Sequence, residues 1–170
     1  MPLTAGGIYY ADNSTAMSIA DITAAIATSV DDAIGGEWTA YTPTFSGATM
    51  TSNSFKYSLS GTVMRIIGNA TLSTISTGIA FSLPAGFVID TTVVADLQDP
   101  LGQIMLVDAN GNIFTGVALK SNTAANVVSL YAHNASTTYL YRTPVTSSVP
   151  FTWVSGDSFR AHIVVPVVKI

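Results

Sequence analysis

The chain has 170 residues, 48% of them hydrophobic and only 9% charged, with no cysteine and a net charge of −4. That length fits one ordinary domain with a short appendage, and that apolar fraction supplies a real core, so disorder is not the default. The lack of cysteine excludes a disulfide framework and a thiolate metal site, and six basic residues against ten acids argue against an electrostatic grip on nucleic acid or an anionic membrane.

The first residues, Met1-Pro2-Leu3-Thr4-Ala5-Gly6-Gly7, carry no basic stretch and no continuous apolar run, so a secretory signal is not expected. Mean hydropathy is high, +0.45, yet no apolar run approaches the roughly 18 residues of a spanning helix. The stretch from Ile163 to Ile170, for example, is interrupted by Pro166 and Lys169.

The spacing predicts a helix over residues 17–34. Ser18 and Asp21 stand at the spacing of a capping box, Met17 and Ile22 at that of a hydrophobic staple, and Gly35-Gly36 supplies the stop. Its apolar stripe is Ile19, Ile22, Ile26, Val30 and Ala33, with Ile34 alongside. A helix of this length is marginal alone in water and needs a partner. Two partners suit it: its own β domain, or copies of itself around a symmetry axis. Isoleucine at both kinds of seam position favours three or more strands over two. The expectation is therefore a trimer with Ile19, Ile22, Ile26 and Val30 at its threefold core, although the repeat covers barely two heptads.

From Trp38 onward, β-branched and aromatic residues recur in short runs separated by Gly, Pro, Asn and Ser. Strands are predicted at 38–45, 55–59, 62–72, 79–83, 92–98, 103–107, 112–120, 127–133, 139–143, 151–154 and 158–168. Ser60-Gly61 predicts one hairpin turn, and Asn110-Gly111 a type I′ turn joining 104–107 to 113–117. In the last strand Phe159, Ala161, Ile163, Val165 and Val167 share a side. Arg160 and His162 face the other way, but Val164, Val168 and Ile170 make that second face apolar too. Burial against a neighbouring subunit accounts for such a strand, and so does a covering loop.

These elements divide the chain into residues 1–36, a leader with a docking and oligomerisation helix, and residues 37–170, a β domain. The fold class expected is mainly β: a short N-terminal helix followed by an antiparallel, jelly-roll-like β-sandwich, trimeric in assembly.

Candidate chemistry is sparse. Asp108-Ala109-Asn110-Gly111-Asn112 begins like a calcium loop, but Ile113 stands where the sharp-turn glycine belongs and Leu119 where a glutamate does, so a hairpin turn is the better reading. His133 and His162 have no metal-ligand partner at short spacing, and no serine sits in a Gly-x-Ser-x-Gly elbow. The single glutamate, Glu37, precedes Trp38 at the junction of helix and first strand. No catalytic residue, metal or cofactor is expected. Asn13, Asn69 and Asn134 begin glycosylation triplets, read as chance in a chain so rich in Ser and Thr. The segment 129–142 alternates aromatic with small polar residues. Tyr131, His133, Tyr139, Tyr141 and Arg142 suit a sugar, through ring stacking beside directional hydrogen bonds. Packing of the tyrosines at a sandwich rim is the commoner use of such a segment.

The order of parts resembles that of tailed-bacteriophage virion proteins. Gly35-Gly36-Glu37-Trp38-Thr39-Ala40-Tyr41-Thr42-Pro43-Thr44-Phe45-Ser46-Gly47 is similar to their "W-T-x-Y-T-P-T" opening strand. Gly61 to Ala70 is similar to the following "G-x-x-x-x-x-x-G" strand, Leu83-Pro84-Ala85-Gly86-Phe87 to an "LP-x-G" strand end, and Gly156-Asp157-Ser158-Phe159 to the turn before a closing strand. The leader from Ile22 to Asp31 resembles small tail proteins of phages infecting actinobacteria.

The resemblance implies a virion structural protein, commonly trimeric, made in the host cytoplasm and displayed on the particle. Its partners would be itself, other tail or capsid proteins and a host-surface glycan, with neither nucleic acid nor membrane insertion. A small tail-fibre or minor tail protein is the leading expectation, with residues 3–13 docking the chain and Trp38 and Tyr41 anchoring the junction. A capsid decoration or head-fibre protein is the alternative within that class. A free carbohydrate-binding module is the alternative outside it.

Overall fold

The computed structural model describes Thr23 and residues 36–97, 99–135 and 140–170. Nine strands follow in chain order: β1 (Thr39–Tyr41), β2 (Phe45–Ser60), β3 (Val63–Ser82), β4 (Phe87–Ile89), β5 (Pro100–Val107), β6 (Ile113–Lys120), β7 (Val127–Ala135), β8 (Leu140–Pro144) and β9 (Ser158–Lys169). The mainly β expectation holds. The helix over 17–34, with Ile19, Ile22, Ile26 and Val30, lies outside the described residues except for Thr23.

Every ladder is antiparallel, and the strand order is β1-β2-β3-β7-β6-β5-β9-β4 with β8 on β7. The expected pair of stacked, jelly-roll-like layers is replaced by one sheet that closes into a small barrel. Closure depends on β3. One of its edges pairs with β2 along almost its whole length, from Ser60↔Val63 to Phe45↔Phe81. Its other edge pairs with β9 at Val63 to Thr71 and with β7 at Ala80 to Ser82. The sheet β9-β5-β6-β7 therefore curls until both of its margins meet the same strand. Between the two contacts β3 is held by loops: Leu72 N–H donates to the Asp157 carbonyl, and Ile79 N–H to the Val145 carbonyl. Register shifts against β2 between Ser46 and Ser52 supply the bend, as irregularities do where a strand passes from one sheet margin to another.

Alternation along the strands fills the barrel. Met64, Ile66, Ala70, Leu72, Ile104, Leu106, Ala118, Val128, Leu130 and Ala132 are buried, together with Phe159, Ala161, Ile163, Val165 and Val167 of β9. Phe45, Phe55, Phe81 and Phe159 pack as an aromatic group, with Phe55 and Phe81 centroids 5.2 Å apart. Such ring pairs add to the burial of their area. Where ring or backbone comes too near for a side chain, the sequence has glycine. A Cβ on Gly116 would overlap the Tyr131 carbonyl oxygen and press on Ile104.

Three sequence expectations change. Residues 92–98 were predicted as a strand, but the backbone turns at Asp90, whose carboxylate accepts from Thr92 N–H at 2.9 Å and Thr92 Oγ1 at 2.6 Å. Val94 is thereby buried as part of the core, and the Lys120 ammonium donates to the Val94 and Ala95 carbonyls at 2.7 and 3.2 Å. Residues 151–154 are likewise no strand: Phe151 stacks on Trp153 at 4.4 Å and lies against Phe114 at 5.1 Å. Apolar residues at alternate positions serve that loop as they would a strand. Conversely, residues 46–54 and 73–78, which lie outside the predicted strands, extend β2 and β3, with Ala48 opposite Ile75 and Thr49 opposite Thr74.

Turn chemistry is partly as expected. Ser60-Gly61 closes the β2–β3 hairpin with Gly61 at φ 59°. The β5–β6 hairpin exists, but its turn is not type I′, because Gly111 alone takes a positive φ and Asn110 does not. The loop spans Asp108 to Asn112, with Gly111 N–H donating to the Asp108 carbonyl. Of the junction pair, Tyr41 anchors as expected, edge-on to Phe55 and Tyr57 at 5.8 Å each, whereas Trp38 is exposed. The Tyr41 hydroxyl is buried without a hydrogen-bond partner among the described residues, and burial pushes its pKa above the ordinary tyrosine value.

Three substitutions test this packing. Gly116→Ala, which overfills the wall between β5 and β7, is expected to cost about 1–3 kcal/mol in chemical denaturation. Gly61→Ala has open space around it and only backbone strain, so its cost is expected at about 1 kcal/mol. Tyr41→Phe keeps the ring contacts and deletes an unpartnered hydroxyl, so stability is expected to hold or rise by up to about 1 kcal/mol. A clear loss would show that the hydroxyl has a partner.

Candidate functional site

The charged residues are segregated by secondary structure. All six lysines and arginines and both histidines lie on strands, and none of the nine strands contains Asp or Glu. The described acids stand in turns and loops, at Glu37, Asp90, Asp96, Asp99, Asp108 and Asp157. Four of these, Asp90, Asp99, Asp108 and Asp157, accept backbone N–H groups. Asp157 is fully buried, and its carboxylate accepts from Ala109 N–H at 2.8 Å and Val154 N–H at 2.6 Å, tying the β5–β6 turn to the turn that opens β9. Asp108 accepts from Asn110 N–H, Asn110 Nδ2 and Asn112 Nδ2. This is a self-satisfied turn rather than a calcium loop, and its hydrogen bonds hold the Asp108 carboxyl below the usual carboxylate range.

Cross-strand register collects the basic side chains on the outer face of the barrel. Residues directly opposite in an antiparallel ladder point to the same side, about 5 Å apart. One row runs Ser54, Asn69, Arg160, Met105 and Thr115. It continues to His133, whose Nδ1 lies 3.4 Å from Thr115 Oγ1, and to Arg142. A parallel row runs Lys56, Ile67, His162, Gln103, Val117, Tyr131 and Pro144. Arg65, opposite Val164, begins a third. Four of the six lysines and arginines and both histidines thus share one surface.

That surface has two shallow depressions with Arg160 between them. One, of about 410 Å3, has Gln103, Met105, Thr115, His133, Arg160 and His162 around it. The other, of about 400 Å3, is bordered by Ser54, Lys56, Ile67, Asn69 and Arg160. A third depression, about 480 Å3, is uncharged and lies at the start of β2, where Thr42, Thr44, Ser46, Ser82 and Asn126 supply hydroxyl and amide groups.

Of the residues singled out for sugar binding, Tyr131, His133 and Arg142 share the basic face. Tyr141 is opposite Asn134 and points to the other side, so the set does not converge as one site. Tyr139 lies outside the described residues. Sequence reasoning missed Arg160, His162, Gln103, Met105 and Thr115. The alternation in β9 already put Arg160 and His162 on the polar side, but only the ladder order reveals that β5, β6 and β7 bring His133 beside them.

Among the described residues no group of three His, Asp or Glu side chains is placed to hold a metal ion, and no helix is long and apolar enough to cross a membrane. Compared with protein-family models, with curated proteins and with solved structures, the chain matches none. What fold and site define is a small closed antiparallel barrel with a basic outer face.

The lowered Asp108 carboxyl gives a pH test. A carboxylate whose folded pKa lies below its unfolded one contributes stability that is present above the unfolded value, about 3.9, and is lost as pH falls through the folded value. Asp90, lowered by its Thr92 hydrogen bonds, acts the same way. The loss of stability below about pH 4 is expected to be shallower in Asp108→Asn than in the native chain, read from denaturation midpoints across that window.

Proposed function

We propose that the protein is a non-enzymatic structural protein of a tailed-bacteriophage virion. It is a homotrimeric tail-fibre or minor tail protein, synthesised in the host cytoplasm and assembled on the particle. In this reading residues 1–36 dock and trimerise the chain, with Ile19, Ile22, Ile26 and Val30 at the threefold core, and the barrel projects outward to bind a host-surface glycan.

The observation that carries the assembly part is the outer face of β9. Phe159, Ala161, Ile163, Val165 and Val167 on its inner side are buried, yet Val164 and Val168 on its outer side, and Ile170 just past its end, are 50%, 45% and 79% exposed. Apolar area left in water costs about 25 cal/mol per Å2, and adjoining apolar side chains on a sheet mark a surface made to be covered. The similarity of residues 35–47 to the phage opening strand supports a virion setting for this assembly. A capsid decoration or head-fibre protein uses the same parts with the leader seated on the head. A free carbohydrate-binding module is favoured only by Tyr131, His133 and Arg142 sharing one face.

Mass photometry of the full chain at nanomolar concentration tests the assembly. The expected particle has three times the 17.7 kDa mass of the chain, and Ile22→Asp with Ile26→Asp is expected to dissociate it. A folded monomer of the native chain would refute the assembly.

A further inference from the structure

We infer that the outer face of β9, β5, β6 and β7 binds an acidic polysaccharide, holding its carboxylate or phosphate groups through Arg160, His162 and His133. This deepens the glycan part of the proposal above and rests on it only for the host context.

Three observations carry it. First, the electrostatics are one-sided. Arg160, His162 and His133 surround one depression, Lys56 and Arg160 the next, and no acidic side chain stands on any strand between them. A chain of net charge −4 gains nothing for solubility by gathering its few cations. Like charges gathered on one surface attract an oppositely charged ligand and repel one another. Second, the side chains are available. The Arg160 and His162 side chains are exposed and have no hydrogen-bond or ion-pair partner among the described residues. A guanidinium presents a planar fork that matches carboxylate and phosphate oxygens.

Third, the surroundings suit a sugar rather than a bare anion. Gln103 and Thr115 offer directional hydrogen bonds at the same depression, and Met105 offers an apolar floor. Tyr131 lies one step further along the Gln103 row, past Val117, and presents a ring. The two depressions share Arg160, so the ligand is an extended chain with repeated negative charges, not a single small ion. Single-stranded nucleic acid is disfavoured because its binding surfaces stack successive bases on aromatic rings, and among the described residues of β9, β5, β6 and β7 this face has one tyrosine and neither Trp nor Phe.

The test is retention of the full chain on immobilised polymers at low salt. Polygalacturonate supplies carboxylates, a polyglycerol phosphate supplies phosphodiesters, dextran is neutral, and a single-stranded DNA oligonucleotide supplies nucleic acid. The proposal expects retention by one or both acidic polymers, elution by added salt, and passage through dextran. Which acidic polymer retains the chain identifies the anionic group. Arg160→Gln and the pair His133→Gln with His162→Gln are expected to weaken binding about tenfold or more. Lys169→Gln, at the chain end and away from the depressions, removes the same charge as Arg160→Gln and is expected to bind as the native chain does.

Equal binding by Arg160→Gln and the native chain would overturn the proposal, as would equal retention by dextran, tighter retention by DNA, or passage through every polymer. So would loss of the oligomer in Arg160→Gln, because the face would then be occupied by a neighbouring copy. Oligomer mass measured on the same samples separates these failures from failure of the assembly proposal.

Discussion

The constraint on which the structure depends is the double use of one edge of β3. A strand edge is a row of backbone donors and acceptors that must be satisfied. β3 satisfies one part of its edge with β9 and another with β7, which obliges the four strands between to curl into a barrel wall. Everything inside follows from that curl. The inward residues of β9, β5 and β6 meet Phe55, Phe81 and Met64 of the strands opposite, and Gly116 lets the β6 backbone sit where a side chain would collide. The bend has to be fixed as well as permitted, and the Asp157 carboxylate with the 154–157 turn does this beside Leu72.

The same curl creates the outer surface. Arg160 and His162 are far in sequence from His133 and Arg142, and only the ladder order β9-β5-β6-β7 sets Arg160 on one row with His133, with His162 on the next. Asp90, Asp99, Asp108 and Asp157 stand in turns and loops, where their carboxylates accept backbone N–H groups. The net charge of the chain therefore misrepresents its surface: an acidic total coexists with a basic wall. Composition gives charge as a sum, whereas the field at a surface depends on where the charge lies.

What was legible in the sequence was local. β-branched alternation gave most strands from β3 onward, Ser60-Gly61 and Asn110-Gly111 gave two hairpins, and the inward set of β9 was identified residue by residue and is buried. Three kinds of feature were not legible. Residues 46–54 are mostly polar, and the register shifts that bend β2 interrupt the alternation by which Ala48 and Met50 pack against the core. Residues 92–98 and 151–154 have strand-like composition but bury Val94 and Trp153 from turns, so alternation alone misleads. Closure is set by which non-adjacent strands meet, and no local pattern encodes that β3 pairs with both β7 and β9. The site was half legible for the same reason. His133 and Arg142 were read from one hairpin, while Arg160 and His162 on β9 were recognised as polar without a partner across the sheet.

Barrel closure is tested most directly by native-state amide hydrogen exchange on the full chain. The account predicts that residues 80–82 of β3 and 127–129 of β7 exchange as slowly as the β5–β6 ladder, opening only with global unfolding. Rapid exchange along 80–82 and 127–129, with the rest of the sheet protected, would mean that the seam is open and that neither the barrel nor its basic wall exists as described.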